Sequence, residues 1–123
     1  MNSVVKLVAK DVDNISYQEA SLDIWDKKYR LVSKSGQPID QTMDDTYQRV
    51  ARALAEVEAE PVREQWYERF LWAQRRGATP AGRITSNAGA QEHKPATSTI
   101  NCTVSETIGD SMDCILHRIT EAG

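Results

Sequence analysis

Cysteine is scarce, with two residues in 123, Cys102 and Cys114. That excludes a disulfide scaffold. Without an export signal it points to a reducing compartment, where a disulfide would be transient or catalytic. The start, Met1 to Val8, is too short and too interrupted by Lys6 to read as a signal peptide. Long apolar runs are missing too. None approaches the roughly 18 residues that span a bilayer, so the expectation is a cytoplasmic chain with no membrane partner. Neither sign of charge dominates: 18 acidic against 15 basic side chains leave a formal net charge of -3. A chain without basic excess is a poor bulk electrostatic partner for nucleic acid, so no nucleic-acid partner is expected. Internal repeats and low-complexity tracts are absent. An apolar content of 40% excludes a fully disordered or collagen-like chain. The length suits one domain or part of one. An active site with its own cofactor pocket would strain so small a core.

Three regions follow from the pattern. Residues 1–16 read as an arm, in which Val4, Val5, Leu7 and Val8 could add an edge strand. Residues 17–77 read as a helical domain. A short helical pattern through Leu22, Ile24 and Trp25 runs into Lys27-Lys28-Tyr29-Arg30, and Ser33 to Pro38 is a turn by composition. The clearest helix follows, with Thr42 as cap and Asp44 and Asp45 in a first turn that favours negative charge. Met43, Tyr47, Val50, Leu54 and Val57 repeat at helical spacing and predict its buried face, while Arg49, Arg52, Glu56 and Glu58 fall off it. Pro61 can open a second helix with Val62, Trp66, Phe70 and Ala73 as buried stripe and Gly77 as the residue past its end. The two would form an αα-hairpin or a bent pair.

Residues 78–123 differ. From Gly77 to Gly109 no helical period appears, and Gly, Pro, Ser, Thr and Asn are frequent. The only strand signal is Thr99 to Val104, with Ile100, Cys102 and Val104 on one face. So long a stretch without helix is either functional or disordered, and its embedded strand favours function. A last helix is expected from Asp110, with Asp113 in a box-like spacing and Met112, Ile115, Leu116 and Ile119 as apolar face.

Cys102 is the first chemical candidate, because a thiol on a short strand beside a polar loop can be redox-active or nucleophilic. Its plain alternative is a small buried apolar residue. Cys114 reads as a packed thiol on the last helix. A zinc site from His93, Cys102, Cys114 and His117 can be written down, but only Cys114 and His117 share a helical face, so no metal site is expected. Asp23, Asp26, Asp44, Asp45, Glu56, Glu58 and Glu60 read as solvated helix faces, and nothing sets two of them around one scissile bond. Lys27-Lys28 and Arg75-Arg76 could touch phosphates but read as ordinary surface charge. No Walker loop occurs, and Gly82 to Gly89 does not follow the dinucleotide-binding pattern.

Several segments taken in order carry a resemblance. They are Glu19 to Leu31, Asp45 to Ala55, Pro80-Ala81-Gly82-Arg83-Ile84, Ser86-Asn87-Ala88-Gly89, Thr97 to Val104, and Asp110-Ser111-Met112-Asp113. Together they resemble the N-terminal part of ribonucleotide reductases, most of all the adenosylcobalamin-dependent class II enzymes, from about residue 17 onward. The resemblance implies a mainly α chain: a helical N-terminal domain, then the first strand and helix of a ten-stranded α/β barrel left incomplete. It implies conversion of ribonucleoside diphosphates or triphosphates to deoxyribonucleotides for DNA synthesis by thiyl-radical chemistry with a redox cysteine pair. Cys102 matches the redox cysteine on the first barrel strand. Asn101 and Cys102 match the positions that hold the ribose, although the family often has Ser or Ala where this chain has Asn101. A hydroxyl in the upstream loop binds a substrate phosphate; Thr85 or Ser86 fits by spacing, with Thr79 as a further option.

A two-electron reduction by thiols needs two cysteines close in space and an external dithiol to reset them. Cys114 is the only other cysteine here, yet the resemblance puts the partner on a distant barrel strand. It implies that the thiyl-forming cysteine, the cobalamin site and the C-terminal reducing cysteines lie beyond residue 123. The chain would then be a piece, inactive alone: a split gene product, half of a product interrupted by a splicing element, or an expression fragment. Its partners would be the remaining C-terminal part of the enzyme, the ribonucleotide and a thioredoxin-like reductant. Adenosylcobalamin would be bound by the remainder, with the iron-dependent relatives, whose catalytic chains share this fold, as the alternative. Two other readings compete. One is a stand-alone helical interaction module docking through Trp66, Phe70 and Trp72; the other is a thiol–disulfide protein using Cys102 and Cys114.

Overall fold

The computed structural model describes residues 16–122. They form five α-helices: α1 Glu19–Ile24, α2 Met43–Ala55, α3 Glu60–Arg75, α4 Gly82–Asn87 and α5 Met112–Ala122. A π-helical turn, Trp25–Tyr29, continues α1 and closes with the Arg30 amide donating to the Trp25 carbonyl at 2.8 Å. The mainly helical class agrees with expectation. The arm, and the edge strand it could add, lie outside the described residues except for residue 16.

α2 begins where its chemistry says. The Thr42 hydroxyl accepts from the Asp45 amide at 3.2 Å, and the Asp45 carboxylate accepts from the Thr42 amide at 2.9 Å, so two orphan donors of the first turn are satisfied reciprocally. α3 runs antiparallel to it. Asp44 at the start of α2 pairs with Arg75 at the end of α3 at 2.7 Å, and Arg52 late in α2 pairs with Glu64 early in α3 at 2.7 Å. Pro61 sits in the first turn of α3, where its missing N–H costs nothing. Past the other end, Gly77 adopts φ +95°. The Gly77 amide donates to Gln74 and the Ala78 amide to Ala73, the double bond of a Schellman cap that glycine makes accessible.

The apolar repeats describe only half of the packing. On α2 the fully buried residues are Thr46, Val50, Ala51 and Ala55, while Met43, Tyr47 and Leu54 are half-buried. Val57 is 86% exposed, beyond the helix end. On α3 the buried residues are Leu71 and Gln74; Trp66, Phe70 and Ala73 are half-buried and Val62 is exposed. The cause is that α2 is covered on two sides. α3 lies along Tyr47 and Leu54, with the Gln74 amide donating to the Tyr47 carbonyl at 3.1 Å. The π turn and α4 cover the side of Thr46 and Val50. The core comprises Trp25, Leu31, Val50, Ala51, Ala55 and Leu71, joined by Ala88 and Ala90 from beyond α4. Its many alanines let backbones approach closely but leave little apolar area to bury.

After the π turn, the chain doubles back through a tight loop closed by a Val32–Pro38 bridge. The Ile39 and Asp40 amides both donate to the Leu31 carbonyl, at 2.8 and 3.1 Å, and this delivers the Asp40 side chain beneath α2. Three expectations for residues 78–123 are corrected. α4 is a helix where no helical period was seen, because six residues are too few to show one. Among the described residues no strand forms, and residues 99–104 are irregular and exposed, because a strand exists only when another pairs with it. α5 starts at Met112, capped by the Ser111 hydroxyl accepting from the Cys114 amide at 3.2 Å, not by an Asp110–Asp113 box.

Candidate functional site

The candidate residues lie along two successive stretches. The first is α4 with the turn after it, pinned to the helical core by Arg49. Arg49 projects from α2 with its side chain 9% exposed, and its guanidinium pairs with the 4%-exposed Asp40 carboxylate at 2.9 Å. The same guanidinium donates to the carbonyls of Ala88 at 2.7 Å, Thr85 at 2.9 Å and Tyr29 at 3.4 Å. Asp40 is fully engaged as well. One of its oxygens accepts from the Leu31 amide at 3.1 Å and the Thr46 hydroxyl at 2.7 Å, and Thr46 in turn accepts from the Trp25 indole N–H at 2.9 Å. A buried carboxylate surrounded by donors and one buried cation is the arrangement a low-dielectric interior tolerates. Sequence reasoning placed Arg49 off the packing face and passed over Asp40. Neither periodicity nor spacing marks a polar pair whose partners come from three separate segments.

Both hydroxyls expected at a phosphate are half-buried and bonded to backbone. Thr85 donates to the Ala81 carbonyl at 3.3 Å or the Pro80 carbonyl at 3.4 Å, and Ser86 donates to the Lys28 carbonyl at 3.3 Å. A hydroxyl has one proton, so donating it to a phosphate oxygen means giving up that carbonyl. Thr79 is exposed and donates to the Gly77 carbonyl at 3.3 Å. Asn87, not singled out from sequence, donates its amide to the Ser98 carbonyl at 2.8 Å, and Arg83 donates to the Ile100 carbonyl at 2.9 Å. These two bonds tether the second stretch to α4.

That second stretch carries Asn101 and Cys102, both exposed, with the Asn101 amide 3.6 Å from the Cys102 sulfur. Cys102 is thus exposed in this chain rather than a small buried residue. Cys102 lines an open cleft of about 740 Å³ with Arg83, Asn101, Glu106 and Arg118. Arg118 bridges Glu106 at 2.8 Å and Glu121 at 2.6 Å, and the carboxylate of Glu121 holds its guanidinium above its ordinary pKa. Cys114 is half-buried, and its sulfur accepts from the Gly109 amide at 3.1 Å.

The remaining candidates separate. Among the described residues no group of three His, Cys, Asp or Glu could hold a metal, so the four zinc candidates are not brought together. The helix carboxylates and cations behave as surface pairs: Asp23 with Lys27 at 2.8 Å, Asp26 with Arg30 at 2.6 Å, and Arg75 with Asp44. Trp66 and Phe70 stack at 5.5 Å, and Trp72 is 59% exposed beneath the Arg76 guanidinium. No described helix is long and apolar enough to cross a membrane.

No curated protein and no solved structure is significantly similar to the chain. Residues 15–93, which run from before α1 past the turn after α4, match the family model described as the ribonucleotide reductase all-alpha domain. That span holds the helical pair, the buried Asp40–Arg49 pair and the Thr85–Ala88 turn as one packed unit. The chain belongs to the ribonucleotide reductase all-alpha domain family, the helical N-terminal part of that enzyme's large chain.

Proposed function

We propose that the chain serves a class II ribonucleotide reductase, with residues 17–77 as its helical domain and residues 78–123 supplying the substrate loop and the first redox cysteine. The observation that supports the reductase part of this reading is the family membership over residues 15–93, while class II and the roles of residues 94–123 rest on the sequence resemblance. Two structural features are consistent with it. An exposed thiol follows the all-alpha unit, and the hydroxyls expected at the phosphate sit on a turn held in place by that unit. Residues 99–104 and the apolar side of α5 are open to solvent, as surfaces would be that the rest of a barrel covers.

In this reading Thr85 or Ser86 donates to a phosphate oxygen of a ribonucleoside diphosphate or triphosphate, and the Asn101–Cys102 backbone with the Asn101 amide holds the ribose. Cys102 and a cysteine from the remaining C-terminal part of the enzyme are the two-electron donor. Their two S–H bonds are lost and one S–S bond forms. The two electrons and two protons reduce the 2′-carbon and release its hydroxyl as water. A thioredoxin-like dithiol then reduces the disulfide by thiol exchange. Adenosylcobalamin would supply radical initiation. No cofactor role is assigned to the cleft beside Cys102, whose lining includes Arg83, Glu106 and Arg118. In this reading, as the resemblance implies, the cofactor is bound by the remainder of the enzyme. The location is cytoplasmic, and the chain alone is inactive.

The test is a single turnover with substrate and no external reductant, followed by peptide mapping. Cys102 is expected in a disulfide with a cysteine outside this chain. Cys102 recovered as free thiol, or bridged to Cys114, contradicts the assignment.

A further inference from the structure

The Arg49 guanidinium reaches beyond α2, to the carbonyls of Tyr29, Thr85 and Ala88. A desolvated ion pair is seldom more stable than apolar residues of the same volume, so the Asp40–Arg49 pair is weak as mere glue. What it does hold is specific. Two of the carbonyls it binds, Thr85 at 2.9 Å and Ala88 at 2.7 Å, bracket Ser86 and Asn87. Thr85 lies in the last turn of α4, where carbonyls have no partner within the helix. Gly89 makes the approach possible. It has φ +71°, and a Cβ there would meet the Arg49 Cγ at 3.0 Å and the Arg49 carbonyl at 3.2 Å. The planar fork matters as well. A lysine ammonium has three donors, but all diverge from one nitrogen, whereas Arg49 makes these contacts from separate nitrogens of a planar fork.

We propose that Arg49, oriented by Asp40, is a positioning residue for ribonucleotide binding: it fixes the backbone of residues 85–88 so that the Thr85 or Ser86 hydroxyl meets the substrate phosphate. This rests on the reading of that turn as the phosphate site. Arg49 does not touch the substrate. It acts through the turn, and the turn in turn carries Asn87, whose amide tethers the Cys102 segment through the Ser98 carbonyl.

The experiment uses the assembled reductase with Arg49→Lys, Gly89→Ala, Ser86→Ala and Thr85→Val. Arg49→Lys keeps a cation beside Asp40 but loses the fork; Gly89→Ala leaves both charged groups in the sequence and forces the turn and the Arg49 stem apart. Each is expected to raise KM for the ribonucleotide about tenfold with kcat within about twofold, less than the roughly 10²-fold that a 1 Å misplacement at the reacting atoms can cost. Amide exchange should quicken at residues 85–90 and stay unchanged in α2 and α3. Unchanged KM in both variants, with KM raised by Ser86→Ala or Thr85→Val, overturns the role of Arg49 and leaves the phosphate site standing. Unchanged KM in Ser86→Ala and Thr85→Val removes the phosphate site and the proposal with it. Loss of the fold in both Arg49→Lys and Gly89→Ala would make Arg49 structural only and also overturn it.

Discussion

Replacing Thr46 by valine probes the buried network with almost no change of shape. Thr46 is 1% exposed, accepts from Trp25 at 2.9 Å and donates to Asp40 at 2.7 Å. Valine removes both bonds and leaves no cavity. The Trp25 indole N–H then stays buried without a partner, a loss of about 1–3 kcal/mol. Asp40 loses one donor but keeps the Leu31 amide and the Arg49 guanidinium, so its share is smaller. The added methyl recovers part of the difference, leaving a net loss of about 1–3 kcal/mol. For a domain of this size that corresponds to a fall in Tm of roughly 4–20 °C. Urea unfolding followed by far-UV circular dichroism and by tryptophan fluorescence measures it, with Thr46→Ser, which keeps the hydroxyl, as control. The serine variant should be well above the valine variant. A valine loss below about 0.5 kcal/mol at unchanged m-value would refute the claim that this network supports the fold.

Three further outcomes follow from the packing. Leu71→Ala should destabilise the helical pair by about 2–5 kcal/mol, and Leu54→Ala by less because Leu54 is half-buried; equal losses in thermal melts would contradict the observed two-sided cover of α2. The Arg75 guanidinium at 2.7 Å, opposed by partial burial and helped by Gln48, holds Asp44 below the usual carboxylate pKa of 3.8. A depressed native pKa contributes stability above 3.8 that is lost as pH falls through the lower native value, so the gap between wild type and Asp44→Asn should close at acid pH. The two side chains are 48% and 40% exposed, and solvent screening keeps that gap below about 1 kcal/mol; a gap that widens on acidification would reverse the assigned sign. Hydrogen exchange should be fast at residues 98–106 in the isolated chain and slow once the remainder of the enzyme is supplied, and equal protection in both states would show that nothing covers this segment.

The sequence made the helical hairpin readable because capping and periodicity are local. Thr42, Asp45, Pro61 and Gly77 each act within one turn of their own position, and each does what its chemistry predicts. Which residues of α2 become buried was less readable. A helix covered on two sides buries Thr46 and Ala51 along with Val50, and polar or small residues carry little hydrophobic signal. Asp40 and Arg49 were invisible for the same reason, since their meaning depends on carbonyls far along the chain. The strand expected at 99–104 shows the opposite failure. Alternation of Ile100, Cys102 and Val104 signals a face, yet pairing needs a neighbour, and Val104 remains 100% exposed. For the candidate site, the resemblance supplied Thr85, Ser86, Asn101 and Cys102, whereas the Arg49 bonds to the Thr85 and Ala88 carbonyls came only from three-dimensional contacts.

Multiple-turnover ribonucleotide reduction by the assembled enzyme carrying Cys102→Ser, compared with Cys114→Ser, tests the functional account most directly. Serine is nearly isosteric, so folding and substrate binding should survive, but a hydroxyl cannot form the disulfide that supplies two electrons. The account predicts that Cys102→Ser abolishes sustained deoxyribonucleotide formation, while Cys114→Ser, whose sulfur only accepts from the Gly109 amide, turns over close to wild type. Sustained turnover by Cys102→Ser with a working reductant present would contradict it.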